Sequence, residues 1–163
     1  MVFENARVTG GAHIFHNAKI YGNALVDNYA FIHGHTCVFD NAHVSYLCFL
    51  VSGNYGMDAE IKSEHERFSI TSIISSNDEL TFYKGRNNEI MVHYRDFLTY
   101  PGNNGCCTLE EFEKWVDATY YENTNPIINT CGPHPRKYKL FINAIEMAKL
   151  RIRVNKCDEM FNH

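Results

Sequence analysis

Five histidines in the N-terminal part of the chain are its most evident reactive side chains. They are His13, His16, His33, His35 and His43. An imidazole acts as a general base when it lies within hydrogen-bond reach of a substrate and a partner fixes its tautomer. No neighbouring residue in the sequence selects one of the five for that role. His33 and His35 are two residues apart, but no carboxylate stands at a regular ligand spacing, so we predict no metal site.

The six cysteines give weaker signals. Their spacing is irregular and contains no C-x-x-C pair, so we expect free, mostly buried thiols rather than a zinc or disulfide framework. Cys106 and Cys107 directly precede a predicted helix, whose dipole would stabilise a thiolate, which leaves a reactive thiol open there. Cys131 and His134 flank a Gly-Pro pair. Gly-Pro is typical of a turn, so we interpret this segment as a turn rather than as a catalytic nucleophile with its base. No phosphate-loop or dinucleotide motif is present, and we predict no cofactor.

Size and composition limit the remaining possibilities. The 163 residues have room for one ordinary domain or two small ones, and the net charge is -4. This charge argues against a double-stranded nucleic-acid partner. No apolar run is long enough to cross a bilayer and no signal-peptide pattern opens the sequence. We therefore expect a cytoplasmic protein with no membrane partner.

The histidines lie within a repeat of six residues. In sixes, the chain from Val2 reads VFENAR, VTGGAH, IFHNAK, IYGNAL, VDNYAF, IHGHTC and VFDNAH. Val or Ile leads each unit, and Ala holds the fifth place except at Thr36. Neither the helical period of 3.6 nor the strand period of 2 explains this spacing. A short strand followed by a turn rich in Gly and Asn does explain it, and predicts a parallel β-helix.

Three units per coil would stack residues 18 apart at about 4.8 Å. The predicted inward columns are Val2, Ile20, Val38; Val8, Val26, Val44; and Ile14, Ile32, Leu50. Asn5, Asn23 and Asn41 are predicted to form an amide ladder at one turn. The pattern over 2–50 resembles the left-handed β-helix of hexapeptide-repeat proteins. The best-known proteins with this fold are acyltransferases, so the resemblance leaves open a repeat histidine acting as general base on an acyl acceptor.

The outward columns contain unusually many aromatic residues. One column holds Phe3, Tyr21 and Phe39, another holds His13, Phe31 and Phe49, and Phe15 lies under His33. Such columns form an apolar patch that a lone subunit rarely exposes, so partner subunits or the rest of the chain must cover it. We predict that the six column residues form a homo-oligomer interface, and the resemblance favours a trimer.

The second half of the chain predicts a different structure. Asp58-Ala59-Glu60-Ile61 reads as one more repeat unit, resumed after a loop over 53–56. Alternation predicts strands in "FSITSII", "LTFYKG" and "EIMVHYRDFL", with a hairpin turn over 84–88. Thr108-Leu109-Glu110-Glu111 is a capping box that begins one helix, and a second follows from Tyr138. The predicted fold class is therefore a short β-helix over 1–62, left-handed as the resemblance implies, a small α+β domain over 67–156 and a tail over 157–163.

A local excess of positive charge marks the end of the chain. Seven Lys or Arg residues lie between Arg136 and Lys156, against Glu146 alone. Such a charge run is either a solvated helix face or a surface that binds a partner or an anionic ligand. The predicted contact residues are Arg136, Lys137, Arg151 and Arg153.

A second resemblance covers nearly the whole chain. The order of a hexapeptide helix, a D-A-E-I unit, the hairpin "LTFYKGRNNEIMV", "CTLEEFEKWV" and the closing "YKLFINAIEMAKLRI" is similar to small uncharacterised proteins of phages and prophages. The resemblance implies a two-part viral or mobile-element protein with no catalytic residues to carry over. With the aromatic columns and the basic helix, it leads us to expect a non-enzymatic oligomeric binding protein in the host cytoplasm. Such a protein would counter host defence by blocking a host protein complex or sequestering a nucleotide signal. An acyltransferase and a structural accessory of virion assembly are the alternatives.

Overall fold

The computed structural model describes residues 1–46, 48–74, 78–94, 105–121 and 134–152. Its N-terminal half is built from ten strands of two residues each. They are β1 (Arg7–Val8), β2 (His13–Ile14), β3 (Lys19–Ile20), β4 (Leu25–Val26), β5 (Phe31–Ile32), β6 (Cys37–Val38), β7 (His43–Val44), β8 (Phe49–Leu50), β9 (Asn54–Tyr55) and β10 (Glu60–Ile61). The repeat therefore folds as predicted, one strand per unit.

The ten strands stack into a β-solenoid of about three turns with three parallel sheets. The strand orders are β1-β4-β7-β10, β2-β5-β8 and β3-β6-β9. The predicted inward columns are confirmed, since Val8 pairs with Val26, Ile14 with Ile32 and Ile20 with Val38. The Asn ladder is also confirmed, with an Asn5 Nδ2 to Asn23 Oδ1 distance of 3.2 Å and an Asn23 Nδ2 to Asn41 Oδ1 distance of 3.3 Å.

The turn between units has a left-handed backbone, which explains the glycines of the repeat. Gly10, Gly22 and Gly34 have φ of 58°, 70° and 68°, and His16 has the same conformation with φ of 54°. At Gly22 a Cβ atom would lie 2.8 Å from the backbone nitrogen of Asp40 on the next coil. The corner therefore favours glycine for its φ and also for its close approach to the next coil.

The predicted loop over 53–56 is wrong at its centre. Asn54–Tyr55 forms β9, which pairs with β6 so that Tyr55 is opposite Val38, whereas Glu60 of the predicted D-A-E-I unit pairs with His43. The unit before β9 is one residue shorter than the others, so the phase of the pattern shifts. The inward residue is an aromatic one because Tyr55 meets Tyr83 at 5.7 Å between ring centroids, where a second sheet covers the coil.

The C-terminal half contains one antiparallel sheet of four strands. They are β11 (Arg67–Thr71), β12 (Glu79–Lys84), β13 (Ile90–Tyr94) and β14 (Cys106–Thr108), in that spatial order. The first three confirm the predicted strands in position, although β11 ends at Thr71 and residues 95–98 of the third prediction lie outside the described residues. The pairing of β14 with β13 was not predicted. A three-residue strand is too short to show an alternating pattern.

Two helices follow the sheet. The first, α1 (Leu109–Val116), continues as a π-helical turn over Asp117–Tyr121, and the second is α2 (Pro135–Arg151). The predicted capping box is confirmed, because the backbone N–H of Glu111 donates to Thr108 Oγ1 and that of Thr108 donates to Glu111 Oε2. A sheet followed by two helices agrees with the predicted α+β arrangement.

The sheet lies between two hydrophobic cores. Tyr83 and Met91 pack with the inward residues of the solenoid, whereas Phe82 and Val92 pack with the helices. This division follows from strand geometry, in which successive side chains point to opposite faces. The backbone also joins the two halves, since Arg86 N–H donates to Asp58 O at 2.9 Å. The end of the solenoid is thus covered by the chain's own second half.

Candidate functional site

The outer surface of the β2-β5-β8 sheet, here named the aromatic face, carries a ladder of stacked rings. Ring centroids are 5.1 Å apart between His13 and Phe31, and 5.1 Å apart between Phe31 and Phe49. Phe15 extends the ladder sideways and is 42% exposed, while Phe49 is 44% exposed. In-register parallel strands repeat at about 4.8 Å, which is close to the distance at which flat rings stack. The fold therefore aligns these rings and leaves them facing outward.

The second aromatic column has a different environment. Phe3, Tyr21 and Phe39 stack at 5.1 and 5.2 Å, but Phe39 is only 2% exposed. The edge of His93 from β13 covers its ring, with centroids 6.2 Å apart. Burial also raises the pKa of Tyr21 to about 12. Phe39 therefore has almost no surface to offer to another subunit, and of this column Phe3 is the most exposed ring.

The two columns are indistinguishable in the sequence. Each consists of three aromatic or histidine residues at a spacing of 18, so no local signal tells which one the chain itself covers. The covering residue, His93, lies far along the chain from both columns. Of the six predicted interface residues the structure buries Phe39 alone. The other five are exposed or half-exposed: Phe3, His13, Tyr21, Phe31 and Phe49.

Only one of the five repeat histidines contacts a carboxylate in the part of the chain that the structure describes. His43 Nε2 lies 3.2 Å from Asp27 Oδ2 on the β1-β4-β7-β10 sheet. The second oxygen of Asp27, Oδ1, is buried and has no hydrogen-bond partner among the described residues. This pairing provides the tautomer-fixing partner that a general base requires.

Two other histidines, His16 and His33, are in contact near the corner between β2 and β3. The ring centroids of His16 and His33 are 4.2 Å apart, and an open recess of about 380 Å³ lies beside His16. The recess is also lined by Lys19, His35 and Cys37. Among the described residues no group of three or more ligating side chains could hold a metal ion.

The structure argues against the reactive thiol that the sequence left open at the start of α1. Cys106 and Cys107 are both fully buried, one on each side of the sheet. Burial raises the pKa of Cys106 to about 12 and raises that of Cys107 as well. The helix dipole does not reverse this effect, because loss of hydration disfavours the thiolate more strongly. Cys131 lies outside the described residues.

The predicted basic residues do not gather into one patch. Arg136 and Lys137 lie in the first turn of α2 and Arg151 is its last residue, which separates them by about 20 Å along the helix. The Arg151 guanidinium stands over the ring of Phe68 at 5.9 Å. Lys149 is occupied by ion pairs with Glu113 and Glu146. Arg153 lies outside the described residues.

No helix within the described ranges combines the length and the apolar character needed to cross a membrane. Comparison of the chain with protein-family models, with curated proteins and with solved structures gives no significant match.

Proposed function

We propose that the protein is a non-enzymatic homo-oligomer that assembles through the aromatic face and works by binding. The observation that supports this function is the exposed ladder of His13, Phe31 and Phe49 with Phe15 beside it. Aromatic side chains contribute much of the binding energy of protein interfaces, and an apolar patch of this kind is seldom left in contact with water.

The proposed assembly is a trimer of left-handed solenoids. The six-residue spacing and its resemblance to hexapeptide-repeat proteins support both the handedness and the subunit number. In the phage setting that the second resemblance suggests, the assembly counters host defence by blocking a host protein complex or by sequestering a nucleotide signal.

Charge substitution on the aromatic face tests self-association. We expect Phe31→Glu with Phe49→Glu to convert the oligomer to a monomer, because two carboxylates would lose their hydration in the interface. The matched control is Tyr29→Glu with Tyr46→Glu, since these rings are 62% and 61% exposed but lie at solenoid corners outside the face. Multi-angle light scattering gives the mass of each variant, and circular dichroism verifies the fold.

Two results would contradict the proposed assembly. A monomeric wild-type protein at micromolar concentration would exclude it directly. An oligomer that survives the Phe31 and Phe49 substitutions with unchanged mass would place the interface elsewhere.

The contact between His43 and Asp27 favours acyl transfer as a second candidate function. His43 would take a proton from a hydroxyl or amine acceptor, and Asp27 would orient the ring. Turnover of acetyl-coenzyme A that is lost in His43→Ala but kept in His35→Ala would establish this function. If the wild-type protein has no turnover with a panel of hydroxyl and amine acceptors, the pair has a structural role.

A further inference from the structure

We propose that the recess beside His16 binds the phosphate group of a phosphate monoester, an inference that rests on the binding role proposed above. The residues assigned to the phosphate are Lys19, His16 and His35. The binding site belongs to the corner of the solenoid, next to the Phe15 end of the aromatic ladder.

The repeat itself brings these side chains together. Lys19 is the outward residue of β3, directly above Cys37 of β6 in the parallel register. His35 precedes β6 by two residues and so reaches the same corner one coil further along. His16 occupies the left-handed turn position, at φ of 54°, where Gly10, Gly22 and Gly34 stand in other units. Four other units also have a non-glycine residue at this place, with φ between 48° and 59°, so the turn conformation fixes where the imidazole lies without singling it out.

The charge of the recess favours an anion. Four lysines are each engaged in an ion pair, namely Lys62, Lys84, Lys114 and Lys149, whereas Lys19, like Lys137 and Lys139, forms none among the described residues. No Asp or Glu lines the recess. The Lys19 ammonium is therefore available to an external anion, and the ring N–H groups of His16 and His35 add hydrogen-bond donors. A metal cation is disfavoured there by the same ammonium.

The size of the recess admits more than an inorganic ion. Its volume of about 380 Å³ lies at the lower end of the range for small-molecule sites, about 300 to 1,000 Å³. The ring of His33 lies beside His16, and the Phe15 ring lies 6.3 Å from His33 between centroids. The phosphate would occupy the Lys19 side, and an attached ring or sugar would extend toward Phe15.

Isothermal titration calorimetry of the full chain tests the site with adenosine monophosphate, inorganic phosphate and adenosine as probes. We expect adenosine monophosphate to bind more tightly than inorganic phosphate, and adenosine at least tenfold more weakly than its monophosphate. Lys19→Ala with His35→Ala should weaken monophosphate binding at least tenfold. The control is Arg7→Ala with His65→Ala, because Arg7 has the repeat position of Lys19 on another sheet and both control residues are exposed.

Each contrary result overturns the assignment of this site. The assignment fails if neither phosphate probe gives a heat of binding. It also fails if the recess variant and the control variant lose the same affinity for adenosine monophosphate. Adenosine binding as tight as that of its monophosphate would assign the affinity to ring stacking. Zinc binding that His16→Ala abolishes, without phosphate binding, would make the corner a metal site. Light scattering on the same samples reports self-association separately, so loss of the phosphate site and loss of the proposed assembly are distinguishable.

Discussion

The ring of His93 packs edge-on against that of Phe39, with centroids 6.2 Å apart and an angle of 83° between the planes. One residue belongs to the C-terminal sheet and the other to the solenoid. This contact ends one aromatic column inside the molecule, whereas the column of His13, Phe31 and Phe49 stays on the surface. It also buries a titratable group at the junction of the two halves.

The first prediction concerns acid stability at this junction. Burial lowers the pKa of His93 from 6.5 to about 4. The folded protein therefore keeps His93 neutral in a range where the unfolded chain is protonated, so the free energy of unfolding falls as the pH drops from about 6.5 to about 4. At pH 4.5 the loss from this residue is about 2 to 3 kcal/mol. Urea denaturation of wild-type protein and His93→Gln at pH 7.5 and 4.5 measures it.

His35→Gln is the control for this loss, because His35 is exposed. We expect the His93 variant to lose less stability on acidification than the wild type, and the His35 variant to follow the wild type. Equal pH dependence in all three proteins would contradict burial of His93 as its cause.

The second prediction concerns the corners of the solenoid. Gly22→Ala would force a Cβ atom into a left-handed turn, 2.8 Å from the Asp40 nitrogen. We expect a loss of about 2 kcal/mol or more, since strain in φ and overlap with backbone act together. Thr9→Ala, on an exposed outward position, should cost less than about 0.5 kcal/mol. Denaturant midpoints provide the measurement, and similar values for the two variants would argue against the left-handed corner.

The third prediction concerns thiol reactivity. The buried thiols Cys48, Cys106 and Cys107 all have a raised pKa, to about 11 for Cys48, because burial disfavours the thiolate. Brief iodoacetamide treatment at pH 8, followed by peptide mass spectrometry, should leave these three unmodified. Cys37 is partly exposed and should be alkylated sooner, although burial raises its pKa as well. Rapid modification of Cys106 in folded protein would contradict the position of β14.

The fourth prediction concerns the amide ladder. Asn23 accepts a hydrogen bond from Asn5 and donates one to Asn41, so Asn23→Ala removes two contacts. The ladder is exposed, and we expect a cost of about 1 kcal/mol. Asn5→Ala removes one contact and should lower the free energy of unfolding by about half as much as Asn23→Ala. Thermal unfolding of the two variants measures the difference, and an Asn5 variant that is less stable than the Asn23 variant would contradict an additive ladder.

The N-terminal half could be predicted closely because its interactions connect repeat units that share the same six-residue pattern. A spacing of 18 was enough to pair Val8 with Val26 and to stack Asn5 on Asn23. The capping box at Thr108 and the three longer strands were also predictable, since each depends on a local pattern. These are the features in which neighbouring residues along the chain determine the structure.

The tertiary structure alone decided which surfaces remain available. Tyr55 is an inward residue because its strand pairs with β6, which places it opposite Val38. Phe39 is buried because Gly56 and His93 pack against its ring. The Cys106 thiol is likewise buried by contacts between distant segments, which disfavours a reactive thiolate there. The recess at Lys19 arises from residues on two coils that no single motif contains. The sequence by itself determined the repeat and its columns, since periodic contacts are encoded in each unit. Which faces of the solenoid are buried depends on contacts between segments that are distant in the sequence. The type of a single residue does not encode such contacts.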